Sequence, residues 1–511
     1  LIATPARLIG VSSSTAFIAL GILAPVLAFL AIFWLIQNVT QDPRLAAAGS
    51  IGVLCFGALA AGEGMVQLLS SGSQYSFLPF LRRYQPALAF PLFFLFCAFV
   101  WRALTYRHGR FVWSALAGLS LGLLTFSYFY LWTTAFAWLT CLILLWFVAN
   151  REKLRRDIGS ILTVLFLGVV ALVPYFILLS RRFVSMDSGQ KLTLSHAADL
   201  FRIPELLCLS TILLLAFSAI RGRLNWRASE TLFAVSFCLA PLIVFNQQVI
   251  TGRSLQPFHY EWFIANYVAL VGVVLASVVI WRGHQSAKRP TCYRFAAHLM
   301  LIAILWATIE VLAPTKVIIK ENQFKDRAAL ICQRLRELSE SDGVTTNTES
   351  EDPRPLVLAS DHKVAVILPT FAPQAVLWAP HFDFLNLAPG ESRARFYQYL
   401  YYTGIDGSDL SQELGQPLSV FASPAFGHER VVPDLSVEAK PITKEEIAAQ
   451  VADYEAYRSS FTRERAWQRI LSFVIVPVDG QLDLSNLDRW YQRDQGEQVG
   501  DYILYRVNLR P

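Results

Sequence analysis

IGSILTVLFLGVVALVPYFILLS, residues 158–180, decides the fold class of this chain. The segment carries no charged side chain and is long enough to cross the hydrocarbon core of a bilayer as an α-helix. Basic residues crowd the positions just before it, at Arg151, Lys153, Arg155 and Arg156. A long apolar run with a basic flank is typical of a membrane-spanning helix.

Similar apolar segments follow one another through residues 1–315, whereas charged residues and prolines return from Lys316 onward. A hydrophobic fraction of 54% with 16% charged residues is too apolar for an ordinary soluble chain. We predict a polytopic α-helical membrane bundle of about ten transmembrane helices over 1–315 and a C-terminal α/β soluble domain over 316–511. The predicted membrane helices lie near 13–36, 46–62, 86–104, 111–128, 130–149, 158–180, 204–220, 229–247, 262–281 and 294–313.

The loops between these segments alternate in charge. Lys and Arg are about twice as frequent in one set of loops as in the alternate set, and the positive-inside rule places the richer set in the cytoplasm. Leu1 and the C-terminal domain then lie outside, so the sequence predicts a multi-pass protein of the inner (plasma) membrane with a periplasmic domain. The net charge of +6 comes with these loop arginines and gives no reason to expect nucleic acid as a partner; the bilayer is the expected one.

The C-terminal part shows alternating helix and strand patterns. A polar stretch over 339–355 is predicted to be a loop. Strands are predicted at 355–360, 375–378, 471–478 and 500–507, and helices at 322–338, 362–368, 390–402, 444–469 (one or two helices) and 484–493.

The polar loop over 245–262 holds the main candidate site residues. Arg253 has a planar fork that can clamp a phosphate, and Gln247 and Tyr260 can bind a substrate. His259 and Glu261 are the candidate catalytic residues, because they can donate or accept protons. The alternative is an ordinary interfacial loop, in which the aromatic residues form a belt and the arginine snorkels to lipid headgroups.

Further candidates lie at the predicted outer boundary of the membrane. The pairs Arg82–Arg83 and Arg181–Arg182 run against the positive-inside rule, which suggests an anionic ligand, although contact with anionic phospholipid explains them as well. Glu63, at the end of the second predicted helix, is a candidate base or metal ligand, with a solvated helix end as the alternative. No set of metal ligands is predicted, and the seven cysteines have no metal-ligand spacing.

Three stretches carry a resemblance to a known family: LRRYQPALAFPL at 81–92, GLSLGLL at 118–124 leading into Tyr128 and Trp132, and the loop from Asn246 to Tyr260. They resemble bacterial members of the GT-C superfamily of integral membrane glycosyltransferases. The resemblance implies transfer of a sugar from a polyprenyl-phosphate carrier to a glycan, lipid or protein acceptor on the outer face of the membrane. Cofactors stay open, including a divalent metal.

One departure from the family concerns its catalytic acid, which GT-C enzymes carry in the first outer loop, after their first helix. Leu1 leads directly into a helix, so the resemblance implies a chain truncated at its N-terminus, with that loop upstream. Two other classes of function stay open: a transporter or flippase for a lipid-linked glycan, and a non-catalytic assembly protein. Transporters usually show internal repeats and charged, broken helices. In this sequence Pro174 and Pro241, in the sixth and eighth predicted helices, are the features that favour a transporter.

Overall fold

The chain divides into two compact units, which are described separately. A computed structural model describes residues 3–11, 13–62, 86–149, 151–182, 192–283, 289–341, 354–380, 390–416, 419–427, 441–480 and 482–511, with single residues 66, 78, 80, 382, 385, 387 and 388. The first unit comprises Leu1–Arg181 and Ser195–Ile318. The second comprises Arg182–Leu194 and Ile319–Pro511.

The elements of the first unit are helical apart from one short strand. Their bounds are α1 Ala3–Leu8, α2 Ser13–Thr40, α3 Pro43–Cys55, α4 Gly57–Ala60, α5 Ala89–Thr105, α6 Arg110–Thr125, α7 Phe129–Ala149, α8 Arg151–Ser180, α9 Ile203–Ile220, α10 Ser229–Asn246, α11 Gln248–Thr251, β2 Arg253–Leu255, α12 Pro257–Tyr260, a π-helical turn Glu261–Ala265, and α13 Asn266–Gly283. Helix α14, Arg289–Ser341, belongs to both units.

Seven helices among the described residues are long and apolar enough to cross a membrane: Ile18–Thr40, Phe129–Ala149, Arg155–Ser180, Ile203–Ile220, Ser229–Thr251, Pro257–Gly283 and Cys292–Leu312. The other three predicted segments correspond to shorter apolar helices, α3, α5 and α6. The predicted helix at 46–62 is wrong in its extent, because α3 ends at Cys55 and a separate short helix follows. The total of ten spans stays a prediction.

Small residues let the helices of the first unit approach closely. A Cβ at Gly118 would lie 2.5 Å from Leu167 Cδ1, where α6 packs against α8. A Cβ at Gly272 would lie 2.7 Å from Cys238 Sγ, where α13 packs against α10. Packing of small residues is the usual basis of helix association in membranes, where no hydrophobic force acts between helices. Elsewhere, α8 exposes large apolar side chains such as Phe166, as a lipid-facing helix would.

The second unit is an α/β domain. Its elements are β1 Leu192–Leu194, β3 Leu356–Ala359, α15 His362–Phe371, β4 Ala375–Val376, α16 Glu391–Tyr402, α17 Gly407–Leu414, α18 Ala422–Phe426, α19 Lys444–Ser459, α20 Arg463–Gln468, β5 Leu471–Pro477, α21 Ser485–Asp488, β6 Tyr491–Arg493, β7 Glu497–Val499 and β8 Tyr502–Leu509.

A mixed six-stranded sheet forms the centre of this unit, in the order β4-β3-β5-β8-β6, with β7 also paired to β8. Strands β3, β4 and β5 are parallel, and β8 runs antiparallel to its neighbours. The four predicted strands are confirmed, since each overlaps an observed one. The predicted helix at 484–493 is wrong beyond Asp488, because Tyr491–Arg493 pairs with β8 instead. The predicted loop at 339–355 falls largely outside the described residues.

Candidate functional site

The backbone is irregular between α10 and α13, which we call the site segment (residues 246–265). Gln256 has a φ of 37°, in the left-handed region that side-chain-bearing residues rarely adopt. Four residues of α-helix follow, from Pro257, and then the π-helical turn Glu261–Ala265. Strained residues and π-helical turns are often found at functional sites. They persist only where the surrounding structure stabilises them.

A group of five polar residues, which we call the polar cluster, joins the start of α9 to the site segment. It consists of Asp199, Arg202, Glu205, Asn246 and Glu261. The guanidinium of Arg202 bonds Asp199 Oδ2 at 2.6 Å and also bonds Glu261. Asn246 Nδ2 donates to Glu205 Oε1 at 2.7 Å, and its Oδ1 accepts from the backbone N–H of Asp199 at 2.9 Å. The cluster thereby ties the start of α9 to the end of α10 and to the π-helical turn.

The protonation state of Arg202 follows from these contacts. Burial acts to lower the pKa of Arg202, but the charges of Glu261 and Asp199 outweigh it, so this pKa is raised. Glu205 is fully buried, and its Oε2 accepts from the backbone N–H of Arg202 at 3.2 Å. Two carboxylates therefore pair with the guanidinium of Arg202 and a third accepts its backbone N–H, which is an arrangement that positions these side chains rigidly.

Aromatic rings line the other side of the site segment. The aromatic wall consists of Tyr128, Tyr130, His259 and Phe263. The ring of Tyr130 meets that of His259 edge-on with centroids 4.9 Å apart, and Tyr128 lies 5.9 Å from Phe263. The Tyr130 hydroxyl donates to Oε1 of the strained Gln256 at 3.2 Å. The wall thus orients His259 and stabilises the unusual backbone beside it.

Arg253 lies in the exposed part of the same segment. Its backbone N–H bonds Thr251 Oγ1 at 3.3 Å, and its side chain is exposed with no hydrogen bond or ion pair to the described residues. The side chains of Gln248 and Ser254 on either side are buried, and Gln248 Oε1 and Ser254 Oγ have no hydrogen-bond partner in the described part of the chain. The exposed guanidinium of Arg253 can bind an anion.

The structure places five of the predicted site residues in one segment. Gln247 and His259 are half-buried, Tyr260 is fully buried with its hydroxyl 2.9 Å from Thr133 Oγ1, and Glu261 is paired to Arg202. Their roles in binding and catalysis stay predictions.

The other predicted site residues are not brought to this segment by any described contact. Arg181 is exposed just after α8, and Arg182 belongs to the second unit. Glu63, Arg82 and Arg83 lie outside the described residues.

Sequence reasoning did not select Asp199, Arg202 or Glu205, which form most of the polar cluster. A signal was present for one of them, because Glu205 is a carboxylate inside an apolar helix, and ionisable residues within membrane segments are rare and usually functional. Glu310, which is buried in α14, carried the same signal. Within the described ranges, no group of three or more His, Cys, Asp or Glu residues is arranged to hold a metal ion.

Comparisons with known proteins give weak structural similarity alone. No family model matches the chain, and no curated protein matches it either. Among solved structures, the chain is similar to the apo crystal structure of the Archaeoglobus fulgidus oligosaccharyltransferase, with a TM-score of 0.44 and 11% sequence identity. The similarity covers 94% of this chain and 62% of that one, so the chain spans less than two thirds of that protein's length. Similarity at this level establishes neither a shared fold nor a shared activity.

Proposed function

We propose that this chain is an integral membrane glycosyltransferase that moves a sugar from a polyprenyl-phosphate carrier to an acceptor at the outer face of the membrane. One observation carries the proposal: the site segment brings together an exposed arginine, an ordered aromatic wall and a polar cluster at the end of apolar helices. A lipid-linked phosphate would present its charge at that depth. The resemblance of the sequence to GT-C enzymes supports the same class.

The reaction needs positive charge where the phosphate leaves. The C–O bond between the sugar and the carrier phosphate breaks, and the bonding electrons go to the phosphate oxygen. Arg253 has an exposed guanidinium that can hold two phosphate oxygens at once and stabilise this charge. The Thr251 hydroxyl accepts the backbone N–H of Arg253 and donates to its carbonyl oxygen, which holds this part of the backbone in place.

The reaction also needs a base for the acceptor hydroxyl, whose oxygen forms the new bond to the sugar. His259 is half-buried in the aromatic wall and can take that proton. Glu261 is bonded to Arg202, and this ion pair holds its side chain in place, which suits it to positioning. The half-buried ring of Tyr128 offers a surface on which a sugar can stack.

A release assay tests this proposal. The purified full-length protein is incubated in detergent with polyprenyl-phosphate sugars that carry different radiolabelled hexoses, together with a membrane extract as acceptor source. We expect labelled sugar to move to the extract with release of free polyprenyl phosphate, and His259→Ala to abolish the transfer. His108→Ala is the matched control, since His108 is an exposed histidine between α5 and α6, outside the site segment.

Two results would contradict the proposal. Movement of a fluorescent polyprenyl-phosphate sugar across proteoliposomes without sugar release would identify a transporter. Absence of carrier binding altogether would favour a non-catalytic assembly protein.

A further inference from the structure

An apolar groove lies in the first unit at the far end of α13 from the site segment. It has a volume of about 810 Å³ and is lined by residues of α3, α13 and α14. Its walls include the small residues Ala48, Gly52 and Ala296 and the large apolar residues Val274 and Leu299. Water is disfavoured in an apolar cavity, so a groove of this kind within a membrane bundle is filled by hydrocarbon.

Basic side chains stand at one end of this groove. Its end is lined by Leu45, Trp281 and Cys292. The exposed residues Arg44 and Arg282 adjoin the first two of these in sequence. Tyr293 adjoins the third, and the Arg44 guanidinium lies 5.1 Å from the centroid of its ring.

The one acidic residue among these contacts is already engaged. Asp42 Oδ1 accepts the backbone N–H groups of Arg44 at 3.0 Å and Leu45 at 3.2 Å, which caps α3. Its other oxygen accepts the Tyr293 hydroxyl at 2.9 Å. One Arg282 nitrogen donates to the Thr40 carbonyl oxygen. With Asp42 held in its own contacts, the remaining donors of Arg282 and the guanidinium of Arg44 are left for a ligand.

We infer that this groove binds an anionic diacyl phospholipid of the bilayer, with an acyl chain between α3, α13 and α14 and the phosphate near Arg44 and Arg282. Each lining helix follows the groove for about 10–12 Å, which is the reach of part of one acyl chain. Arginines near a headgroup favour an anionic lipid over a zwitterionic one.

The position of the groove favours a bilayer lipid over the sugar carrier. From Phe263 in the site segment to Arg282 at the groove, the helix extends for about 28 Å, close to the thickness of the hydrocarbon core. A carrier with its phosphate at Arg253 therefore cannot also place that phosphate at Arg282. A headgroup at the Arg282 end of α13 therefore lies in the leaflet opposite to the site segment. Phospholipids provide such headgroups in that leaflet.

Cys292 lines the groove and provides a reporter. The full-length protein in detergent is treated with N-ethylmaleimide, and the alkylation rate of the Cys292 peptide is read by mass spectrometry in the presence of phosphatidylglycerol, phosphatidylcholine, a polyprenyl phosphate or inorganic phosphate. We expect phosphatidylglycerol at saturation to slow alkylation at least about fivefold. Its half-maximal concentration should be at least about tenfold lower than that of phosphatidylcholine.

Two variants test separately the binding of the acyl chain and the binding of the headgroup. A Cβ at Gly52 would meet no atom within 4 Å, so Gly52→Leu adds a side chain to the groove without a clash and should remove most of the protection. Gly159→Leu is the matched control, because a Cβ there also meets open space but Gly159 is on α8, away from the groove. Arg44→Gln should leave protection by phosphatidylcholine unchanged and abolish the preference for phosphatidylglycerol.

Four outcomes would overturn the inference. Equal protection by the two phospholipids in the unmodified protein would exclude headgroup recognition, and protection by inorganic phosphate alone would indicate a free-anion site. Protection by the polyprenyl phosphate at lower concentrations than phosphatidylglycerol would assign the groove to the carrier. Equal protection of Gly52→Leu and Gly159→Leu would place the lipid elsewhere. Melting temperatures measured without lipid establish that each variant is folded.

Discussion

The guanidinium of Arg202 donates a hydrogen bond to the carboxylate of Glu261 across 59 positions of sequence. This contact joins the residue that precedes α9 to the first residue of the π-helical turn. Both side chains are largely buried, at 24% and 12% exposure, so little solvent screens their charges. The contact therefore fixes the position of the site segment relative to the start of α9.

Removal of this guanidinium should destabilise the protein. In Arg202→Met, the Glu261 and Asp199 carboxylates lose a charge-assisted partner, which typically costs about 1.5–3 kcal/mol. We expect a lower melting temperature in detergent, and Arg202→Met combined with Glu261→Gln should recover part of the loss, because one unpaired charge is removed. Arg221→Ala is the control, since the exposed side chain of that arginine lies over the Phe217 ring and forms no hydrogen bond or ion pair with a side chain among the described residues. Equal melting of Arg202→Met and Arg221→Ala would contradict the prediction.

Arg253 should matter more for phosphate binding than for folding. Its side chain is exposed, so Arg253→Ala should leave the melting temperature nearly unchanged. Binding of a polyprenyl phosphate, measured by native mass spectrometry, should weaken by about tenfold or more. Arg253→Lys should recover only part of the affinity, because lysine offers a point charge instead of a planar fork. Unchanged affinity in Arg253→Ala would remove this residue from the site.

The predicted membrane orientation can be tested with single cysteines. Gly109 has a φ of 70°, so a cysteine there would be strained, whereas the exposed His108 is a better position in the same loop. In intact cells, we expect His108→Cys to be shielded from an impermeant thiol reagent and Ser411→Cys, exposed in α17, to react. Permeabilised cells give the control labelling of both. Reaction of His108→Cys in intact cells would reverse the orientation.

Acid should weaken the second unit around Glu391. Burial acts to raise the pKa of Glu391, but hydrogen bonds from Arg469 and Arg395 outweigh it, so this pKa is lowered from its ordinary value of 4.5. Because the folded pKa lies below the unfolded one, the stabilisation is fully present above the unfolded pKa and is lost as pH falls through the folded pKa. Hydrogen exchange of the α16 peptide should therefore accelerate as pH falls below about 4.5, after correction for intrinsic rates.

The matched variants for this pH dependence are Glu391→Gln and Glu413→Gln. Glu391→Gln should exchange faster at neutral pH and show a flatter acid response, because its side chain no longer ionises. Glu413 is exposed on α17, and Glu413→Gln should behave as the unmodified protein does. An unchanged acid response in Glu391→Gln would show that another group is responsible.

The C-terminal part should fold on its own. A fragment over 316–511 keeps the core that packs Val357 and Ile475 of the central strands against Ile331 and Leu335 of α14. We expect cooperative unfolding of this fragment in urea, followed by circular dichroism. A fragment over 344–511 lacks the α14 residues of that core and should unfold without a cooperative transition. Non-cooperative unfolding of the longer fragment would show that the rest of the chain is required.

The sequence by itself determined the class of the long apolar segments. Residues 158–180 predict a membrane helix because the transfer of apolar side chains into a bilayer is a property of the segment alone. The predicted strand at 471–478 is confirmed. Its apolar run indicates a strand by itself, without reference to the strands beside it. The polar loop over 245–262 was also selected from the sequence, as a run of polar residues between two apolar segments.

Only the tertiary structure decided which residues meet. Arg202 pairs with Glu261, and Tyr130 with Gln256, through contacts between distant parts of the chain, and no local pattern specifies such partners. Tyr491–Arg493 becomes a strand because β8 offers backbone groups to pair with, which overrides the helical pattern over 484–493. The groove beside Gly52 exists because three helices leave a space that none of them defines alone. Long-range packing determines these features, and it depends on the whole chain.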